Sequence, residues 1–391
     1  MPEFRSRSHT ERVQFSAQRC FLHIGPPKTG TSYLQSIFWA SRDELAAQGL
    51  VLPLKNRDHW HAALAVRGLL TGDEYRPHAS SVLDRLGDAM ASVQAGSNVL
   101  ITQEAFAPAT PAEAERLLCL LPGWEVHVIV TARDLSRQIP SAWQQLVKKG
   151  HTLAYDDFLH AVVERSQIAD SFWSQQDLAA VTANWARVVP EDRLHIVTVP
   201  PSGSPAGLLL RRFCSVVGVH PGPLDTTAAV SNSSLDRAQA ELLRHINIAR
   251  AEAQDETDDL PRRAAKRDST FLAKEVLAQR DGLPVELPNR LREWCHQLSV
   301  ATIADLQSHG YHVVGDLAEL IPNTDVPARA DEHTTDAEVV RAAASALATL
   351  AAQRTRGGKE PRRRLKARRT GRQAGGAKGV VEVGGGGPSL P

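Results

Sequence analysis

The chain has 391 residues, of which 42% are hydrophobic and 23% charged, a composition typical of a globular protein with a buried core. Its 45 Lys and Arg residues balance its 44 Asp and Glu residues, but eleven basic and only two acidic residues occur from Arg354 onward, which leaves a charge of −8 on the rest of the chain. This distribution excludes a strongly basic body that reads nucleic acid, and we expect no specific nucleic-acid partner.

Sequence signals for membranes, export and metal sites are missing. No apolar run reaches the roughly 18 residues of a membrane-spanning helix, and the first 19 residues lack the apolar stretch of a signal peptide. The four cysteines lie far apart and form no CxxC pair, so we expect no metal site. Such sparse cysteine usage fits a reduced compartment and predicts a cytoplasmic protein.

The first 230 residues predict strands that alternate with helices. Apolar segments rich in β-branched residues predict strands at 20–24, 98–102, 125–131 and 193–199, and helical patterns follow at 32–47, 111–120, 135–148 and 207–217. Because none of these strands shows a clean period of two, both faces of the sheet should be buried. We therefore predict a three-layer α/β fold with a central parallel sheet between layers of helices.

Beyond about residue 230 the sequence predicts helices and no strand. Helical patterns cover 235–250, with Ser234 as the expected N-cap, and 287–309; the pair Thr335 and Glu338 forms a capping-box pattern that opens an alanine-rich helix at 337–354.

From residue 355 onward, many Gly and Arg residues and few apolar ones predict a disordered basic tail that either contacts anionic surfaces or stays solvated. The predicted organisation is a flexible N-terminus (1–18), one main domain (19–325), a linker with the alanine-rich helix (326–354) and the tail (355–391).

One turn carries the strongest functional signal. The first predicted strand runs into Gly25-Pro26-Pro27-Lys28-Thr29-Gly30-Thr31-Ser32, and a helix follows directly. Such a turn directs backbone N–H groups and a helix N-terminus at one point, which makes an anion site. In it, Gly30 allows a close approach of the backbone, Lys28 adds a charge, and Thr29, Thr31 and Ser32 add hydroxyl groups.

The order of residues in this turn differs from a Walker A loop, in which a lysine and then a hydroxyl residue follow the last glycine. Here Lys28 precedes Gly30 by two residues. The order Pro-Lys-Thr-Gly-Thr-Ser instead resembles the 5′-phosphosulfate loop of sulfotransferases that use 3′-phosphoadenosine 5′-phosphosulfate (PAPS), particularly the bacterial and glycan types. The resemblance implies a P-loop-like fold, PAPS as the co-substrate, and phosphosulfate contacts from residues 28–32.

A second match lies at the end of the third predicted strand. Arg133 ends that strand, and Ser141 follows eight residues later in the next helix. In the sulfotransferases that the chain resembles, an arginine and a serine at this spacing bind the 3′-phosphate, which implies this role for Arg133 and Ser141. A guanidinium fork suits a phosphate group, and a nearby hydroxyl completes its hydrogen bonds. Arg137, one helical turn later, is predicted either to reinforce this site or to lie on the surface.

Sulfuryl transfer needs a base for the acceptor and positive charge at the leaving phosphate, and it needs no metal in principle. Lys28 is the expected source of charge. Glu104, just after the second predicted strand, is the expected base, as in the glycan-type enzymes that the chain resembles. His59 and His61 are the alternatives for the base or for contacts with the acceptor.

The sequence thus predicts an enzyme that transfers a sulfuryl group to a hydroxyl or an amine. The expected acceptor is a carbohydrate, a lipid or a small metabolite. Two alternatives remain open: a P-loop kinase that uses ATP and Mg²⁺, and a non-catalytic binding protein on a sulfotransferase fold. Neither the acceptor nor the oligomeric state can be read from the sequence.

Overall fold

A computed structural model describes residues 18–70, 76–229, 234–253, 268–277, 282–322 and 334–357. Within these ranges, six parallel strands form one sheet in the order β2-β3-β1-β4-β5-β6. The strands are β1 (Arg19–Gly25), β2 (Leu50–Val51), β3 (Asn98–Thr102), β4 (Glu125–Ala132), β5 (Leu194–Thr198) and β6 (His312–Val314). Helices cover both faces, so the predicted three-layer α/β fold with a central parallel sheet is confirmed.

Helices connect the strands and make up most of the C-terminal part. They are α1 (Thr31–Ala40), α2 (Arg42–Ala47), α3 (Asn56–Val66), α4 (Arg76–Ala91), α5 (Pro111–Leu118), α6 (Leu135–Lys148), α7 (Tyr155–Val163), α8 (Asp170–Gln176), α9 (Leu178–Ala186), α10 (Leu208–Val217), α11 (Arg237–Glu252), α12 (Arg292–Gln307) and α13 (Asp336–Gly357). Within the described ranges, no helix combines the length and apolarity needed to cross a membrane.

The sheet is buried on both faces, which explains why its strands show no period of two. On β1, Leu22 and Ile24 pack into one core with α3, α4, α5 and α9, whereas Phe21 packs into the opposite core with α1, α2 and α10. Because successive side chains of a strand point to opposite faces, two apolar layers require apolar residues at nearly every position.

A third apolar cluster joins the helices between β4 and β5 to helices of the C-terminal part. The helices α6, α7, α8, α11 and α12 contribute to it, and α13 packs against it through Val339, Ala342, Ala343 and Ala346. The predicted capping box opens α13, since the Glu338 carboxylate accepts from the Thr335 backbone at 2.8 Å and the Thr335 hydroxyl accepts from the Glu338 N–H at 3.3 Å. The division into four regions stays a prediction, and the described ranges include neither 1–17 nor 358–391.

The structure corrects three predicted elements. A strand does occur after residue 230: β6 pairs with β5 over three residues, too few to produce a recognisable apolar pattern. The helix expected at 32–47 breaks at Ser41, whose buried hydroxyl accepts from the Asp225 N–H at 2.8 Å. Asp236 rather than Ser234 caps α11, because its carboxylate accepts from the Gln239 N–H at 2.8 Å.

Candidate functional site

Three neighbouring strands bring the predicted site residues to one edge of the sheet. β1 lies between β3 and β4, and all three run in the same direction, so their carboxyl ends lie side by side. The turn with Lys28 follows β1, Glu104 lies two residues after β3, and Arg133 follows β4. Open α/β sheets bind ligands outside the carboxyl ends of their strands, in the crevice where the chain changes direction across the sheet.

The backbone of the turn after β1 is held in an unusual conformation. Lys28 has a φ of 73°, in the left-handed region that non-glycine residues rarely adopt, and Gly30 has a φ of 85°. The Thr29 hydroxyl is fully buried and donates to the Pro26 carbonyl at 2.6 Å, and Thr31 is also buried. The Thr29 hydroxyl, which is predicted to contact the ligand, therefore already has a hydrogen-bond partner within the protein.

Helix α1 begins at Thr31, and its first turn is suited to an anion. Gly30 occupies the N-cap position, and among the described residues no side chain caps this end. The first turn contains Thr31, Ser32 and Tyr33 and no acidic residue. The first N–H groups of a helix have no partner within the helix, and they carry the positive end of its dipole. The half-buried Ser32 adds a hydroxyl at this end.

The Lys28 side chain is half-buried and bound to a neutral partner. Its Nζ donates to Oε1 of Gln145 on α6 at 2.8 Å. Burial, and then the charges of Lys148, Lys149 and Arg133, lower the pKa of Lys28 to about 8, whereas Glu104 opposes this shift. Burial disfavours an unpaired charge, and like charges disfavour it further. The ammonium group thus lies in a cation-rich region that an anionic ligand would stabilise.

Glu104 lies directly against the first residue of the turn. A Cβ built on Gly25 would come within 2.8 Å of the Glu104 Cβ, so the backbones approach closely here, and Gly25 has a φ of 88°. Gln35 of α1 donates to the Glu104 carboxylate at 3.3 Å. The half-buried carboxylate thus faces the Lys28 region and, like Lys28, is held by an amide.

Arg133 connects the turn to a large cleft. Its Nη1 donates to the Lys28 carbonyl at 3.1 Å, and its buried Nε has no hydrogen-bond partner within the described residues. Burial and then the charge of Arg137 lower the pKa of Arg133 to about 10, whereas Asp134 opposes this shift. Arg133 and Ser141 both line a cleft of about 910 Å³. The two residues that the resemblance assigns to one phosphate thus line the same cleft.

Arg137 lines the same cleft but is already engaged. It forms an ion pair with Asp134, whose carboxylate also caps α6, and its Nη1 donates to the Pro200 carbonyl at 3.2 Å. Both predicted roles are thus compatible with its position, because the guanidinium faces the cleft while it stabilises the start of α6.

The two candidate histidines of α3 are buried. His59 is fully buried, its Nε2 donates to the Pro53 carbonyl at 2.8 Å, and its Nδ1 accepts from the Thr102 N–H at 3.2 Å. Burial lowers the pKa of His59 to about 4. His61 is 3% exposed and packs beside Trp60. A contact of either histidine with an acceptor stays a prediction, and this burial favours a structural role instead.

Sequence reasoning missed the glutamines that surround the turn. Gln145 contacts Lys28, Gln35 contacts Glu104, and Gln176 of α8 donates to the Pro27 carbonyl at 3.0 Å while it accepts from Gln138 at 2.6 Å. A signal existed for Gln145, which follows Ser141 by one helical turn and so shares its face of α6.

The edge as a whole combines an uncapped helix N-terminus, buried cations and one carboxylate. Such an arrangement can bind a phosphate-like anion, stabilise negative charge that develops on it and accept a proton nearby. The described residues contain no cluster of three or more His, Cys, Asp or Glu side chains placed to hold a metal ion. Comparisons of the chain with family models, curated proteins and solved structures returned no match.

Proposed function

We propose that the chain is a sulfotransferase that uses PAPS as the donor and a carbohydrate, lipid or small metabolite as the acceptor. The observation that carries the proposal is the convergence of Lys28, Glu104 and Arg133 at the ends of three adjacent strands, beside the N-terminus of α1. The resemblance of the turn to a phosphosulfate loop supplies the donor, and the arrangement of charges is compatible with it.

The residues at this edge fit a donor with two separate phosphate groups. The turn and Lys28 offer N–H groups and a cation for the 5′-phosphosulfate. Arg133 and Ser141 line one cleft, and the Nε of Arg133 has no hydrogen-bond partner among the described residues, which is compatible with a role in holding a 3′-phosphate. Buried donors without partners are uncommon, and a ligand is one explanation for such a group.

Each side chain has a distinct chemical role in this proposal. PAPS supplies an activated sulfuryl group when it is bound. Glu104 accepts the proton of the acceptor hydroxyl or amine, and Gln35 orients its carboxylate. Lys28 stabilises negative charge at the phosphate, a role in which its burial strengthens the interaction because fewer water molecules screen the charge.

The donor class can be tested by calorimetric titration with adenosine 3′,5′-bisphosphate, with ADP and Mg²⁺ as the comparison. The proposal expects tight binding of the bisphosphate and weak binding of ADP, and a Lys28→Ala variant should lose affinity for the bisphosphate. Lys274→Ala, which removes an exposed lysine elsewhere, is the control. A preference for ADP with Mg²⁺ would favour the kinase alternative, and binding of neither would favour a non-catalytic protein.

The role of Glu104 can be tested once an acceptor has been found by screening hydroxylated compounds. A Glu104→Gln variant should lose about 10²- to 10⁴-fold in turnover, as is typical for removal of a general base, while its affinity for the bisphosphate changes little. Glu115→Gln on the exposed side of α5 is the matched control. Equal turnover of Glu104→Gln and the wild type would reject Glu104 as the base.

We also propose a cytoplasmic location. All four cysteines are free thiols, and Cys20, Cys214 and Cys295 are buried, which fits a reducing compartment.

Contact of the basic tail with anionic surfaces stays a prediction, because residues 358–391 lie outside the described ranges. A salt-sensitive association with anionic vesicles that is lost on truncation at about residue 355 would support it.

A further inference from the structure

Lys28 reaches the site from a backbone that is fixed on several sides. Its left-handed φ of 73° sets the direction of the Cα–Cβ bond, and Arg133 Nη1 holds its carbonyl at 3.1 Å. The long side chain remains free, since a lysine has a flexible four-carbon stem with many rotamers. A contact at the end of that side chain therefore decides where the ammonium group lies.

That contact is Gln145, whose Oε1 accepts from Lys28 Nζ at 2.8 Å. We propose that Gln145 is the positioning residue of Lys28: its side-chain amide directs the ammonium group towards the anion site without neutralising it. The proposal rests on the function proposed above, because it assigns a role within that site. Gln145 lies one helical turn after Ser141 on α6, so the same helix serves both the 3′-phosphate and the lysine.

The choice of an amide rather than a carboxylate has a physical consequence. A carboxylate at this position would form an ion pair with Lys28, hold its pKa high and repel a phosphate or sulfate group. The amide oxygen provides a hydrogen bond of similar length and leaves the full positive charge for the ligand. Burial and the positive charges of Lys148, Lys149 and Arg133 lower the pKa of Lys28, whereas the Glu104 carboxylate raises it.

The same logic holds on the other side of the site. Glu104 also has an amide partner, Gln35, although that contact is longer, at 3.3 Å. If Lys28 and Glu104 were each paired with a charged neighbour, each would have to break an ion pair before acting on a ligand. Amide partners orient both groups at a lower cost in desolvated charge.

The proposal is tested by measuring how the reactivity of the Lys28 amine depends on pH in the ligand-free protein. Trace acylation followed by mass spectrometry of the Lys28 peptide gives the midpoint at which the amine becomes reactive. Gln145→Glu should raise this midpoint by at least one pH unit, because it places a carboxylate beside Nζ. Gln145→Leu should lower it, because a hydrogen bond to the charged form is lost. Gln94→Glu, which adds one negative charge at an exposed position elsewhere, should leave the midpoint unchanged.

If Gln145 did not contact Lys28 in solution, its replacement would change at most the thermal stability and would leave the midpoint of Lys28 where it is. Unchanged midpoints in folded Gln145→Glu and Gln145→Leu proteins would therefore overturn the proposal; Gln145→Glu nearly preserves the shape of the side chain and keeps the test valid if Gln145→Leu does not fold. As a second readout, Gln145→Glu should weaken bisphosphate binding at least tenfold.

The two proposals fail in different ways. Acylation is measured without ligand, so shifted midpoints in a protein that does not bind the bisphosphate would reject the sulfotransferase function and support the Lys28–Gln145 contact. Tight bisphosphate binding with unshifted midpoints would support the function and overturn the role of Gln145.

Discussion

Polar clusters lie at both ends of the strands, at the amino ends (the amino edge) and at the carboxyl ends (the carboxyl edge). The two clusters differ in whether each charged group has a partner of opposite charge. At the amino edge, Glu125, His127, His195 and His312 form a row across β4, β5 and β6 that we call the histidine row. Its hydrogen bonds join Glu125 to His127 at 2.6 Å, His127 to His195 at 2.8 Å and His195 to His312 at 2.8 Å. At the carboxyl edge, Lys28 and Arg133 are held by an amide and a carbonyl, neither of which carries an opposite charge.

The comparison distinguishes a structural cluster from a site that can bind a ligand. Three neutral imidazoles can donate in one direction along the histidine row to the Glu125 carboxylate, so the row is satisfied within the protein. The cations at the carboxyl edge exceed the anions that face them, and burial makes that excess unfavourable unless an anion binds. We therefore expect ligand binding to depend on the carboxyl edge, and the histidine row of the amino edge to contribute to pH-dependent stability.

The largest expected contrast is between two arginines, one from each edge. Arg133→Ala should weaken binding of adenosine 3′,5′-bisphosphate by about 100-fold, or roughly 2.7 kcal/mol, because a buried guanidinium no longer meets the phosphate. Arg193→Ala removes a partly exposed arginine 3.7 Å from Glu125 and should leave the affinity unchanged. Titration calorimetry of both variants measures the difference, and equal affinities would remove Arg133 from the site.

The histidine row should make the protein less stable in mild acid. Burial lowers the pKa of His127, and burial together with the two neighbouring histidines lowers that of His195 to about 4. The unfolded chain, with a histidine pKa near 6.5, takes up protons first as the pH falls, so stability present at pH 7 is lost between about pH 6.5 and 4. The buried His23 and His59 act in the same direction.

Urea unfolding at several pH values measures this loss. In His195→Gln, the loss of unfolding free energy between pH 6.5 and 4.5 should be smaller than in the wild type by about 1 kcal/mol per pH unit. His160→Gln, which changes an exposed histidine of α7, should keep the wild-type slope. If the slopes of wild type and His195→Gln coincide, the row does not control acid stability.

The smallest expected effect appears at the opposite end of the pH scale. Because the pKa of Lys28 is lowered to about 8, the lysine loses its charge in the ligand-free protein as the pH rises above 8. Bisphosphate affinity should then fall by up to about tenfold between pH 7.5 and 9.5, since binding has to restore the proton. Lys28→Arg should bind with an affinity that is nearly constant over this range, because a guanidinium stays protonated. Parallel profiles for the two proteins would contradict this assignment.

Long buried strands could be predicted from the sequence, whereas short edge strands could not. The predicted strand at Asn98–Thr102 is confirmed with its bounds. A strand that is buried between two helical layers needs apolar residues at nearly every position, and this continuous apolar run is recognisable in the sequence. β2 has two residues and β6 has three, so their existence depends on hydrogen bonds to β3 and β5 rather than on any local pattern. The confirmed bounds of α6 follow from Asp134 at its N-cap and a strong apolar periodicity.

The candidate site shows the same division between local and long-range information. The sequence by itself determined the candidate anion-binding turn after β1, the carboxylate after β3 and the arginine after β4, because each is a local pattern at the end of a strand. Only the tertiary structure decided that Gln145 and Gln35 contact Lys28 and Glu104, and that His59 is buried with both ring nitrogens engaged. It also decided that three histidines far apart in the chain form one row, because parallel register, which no local pattern encodes, sets which residues of neighbouring strands are adjacent.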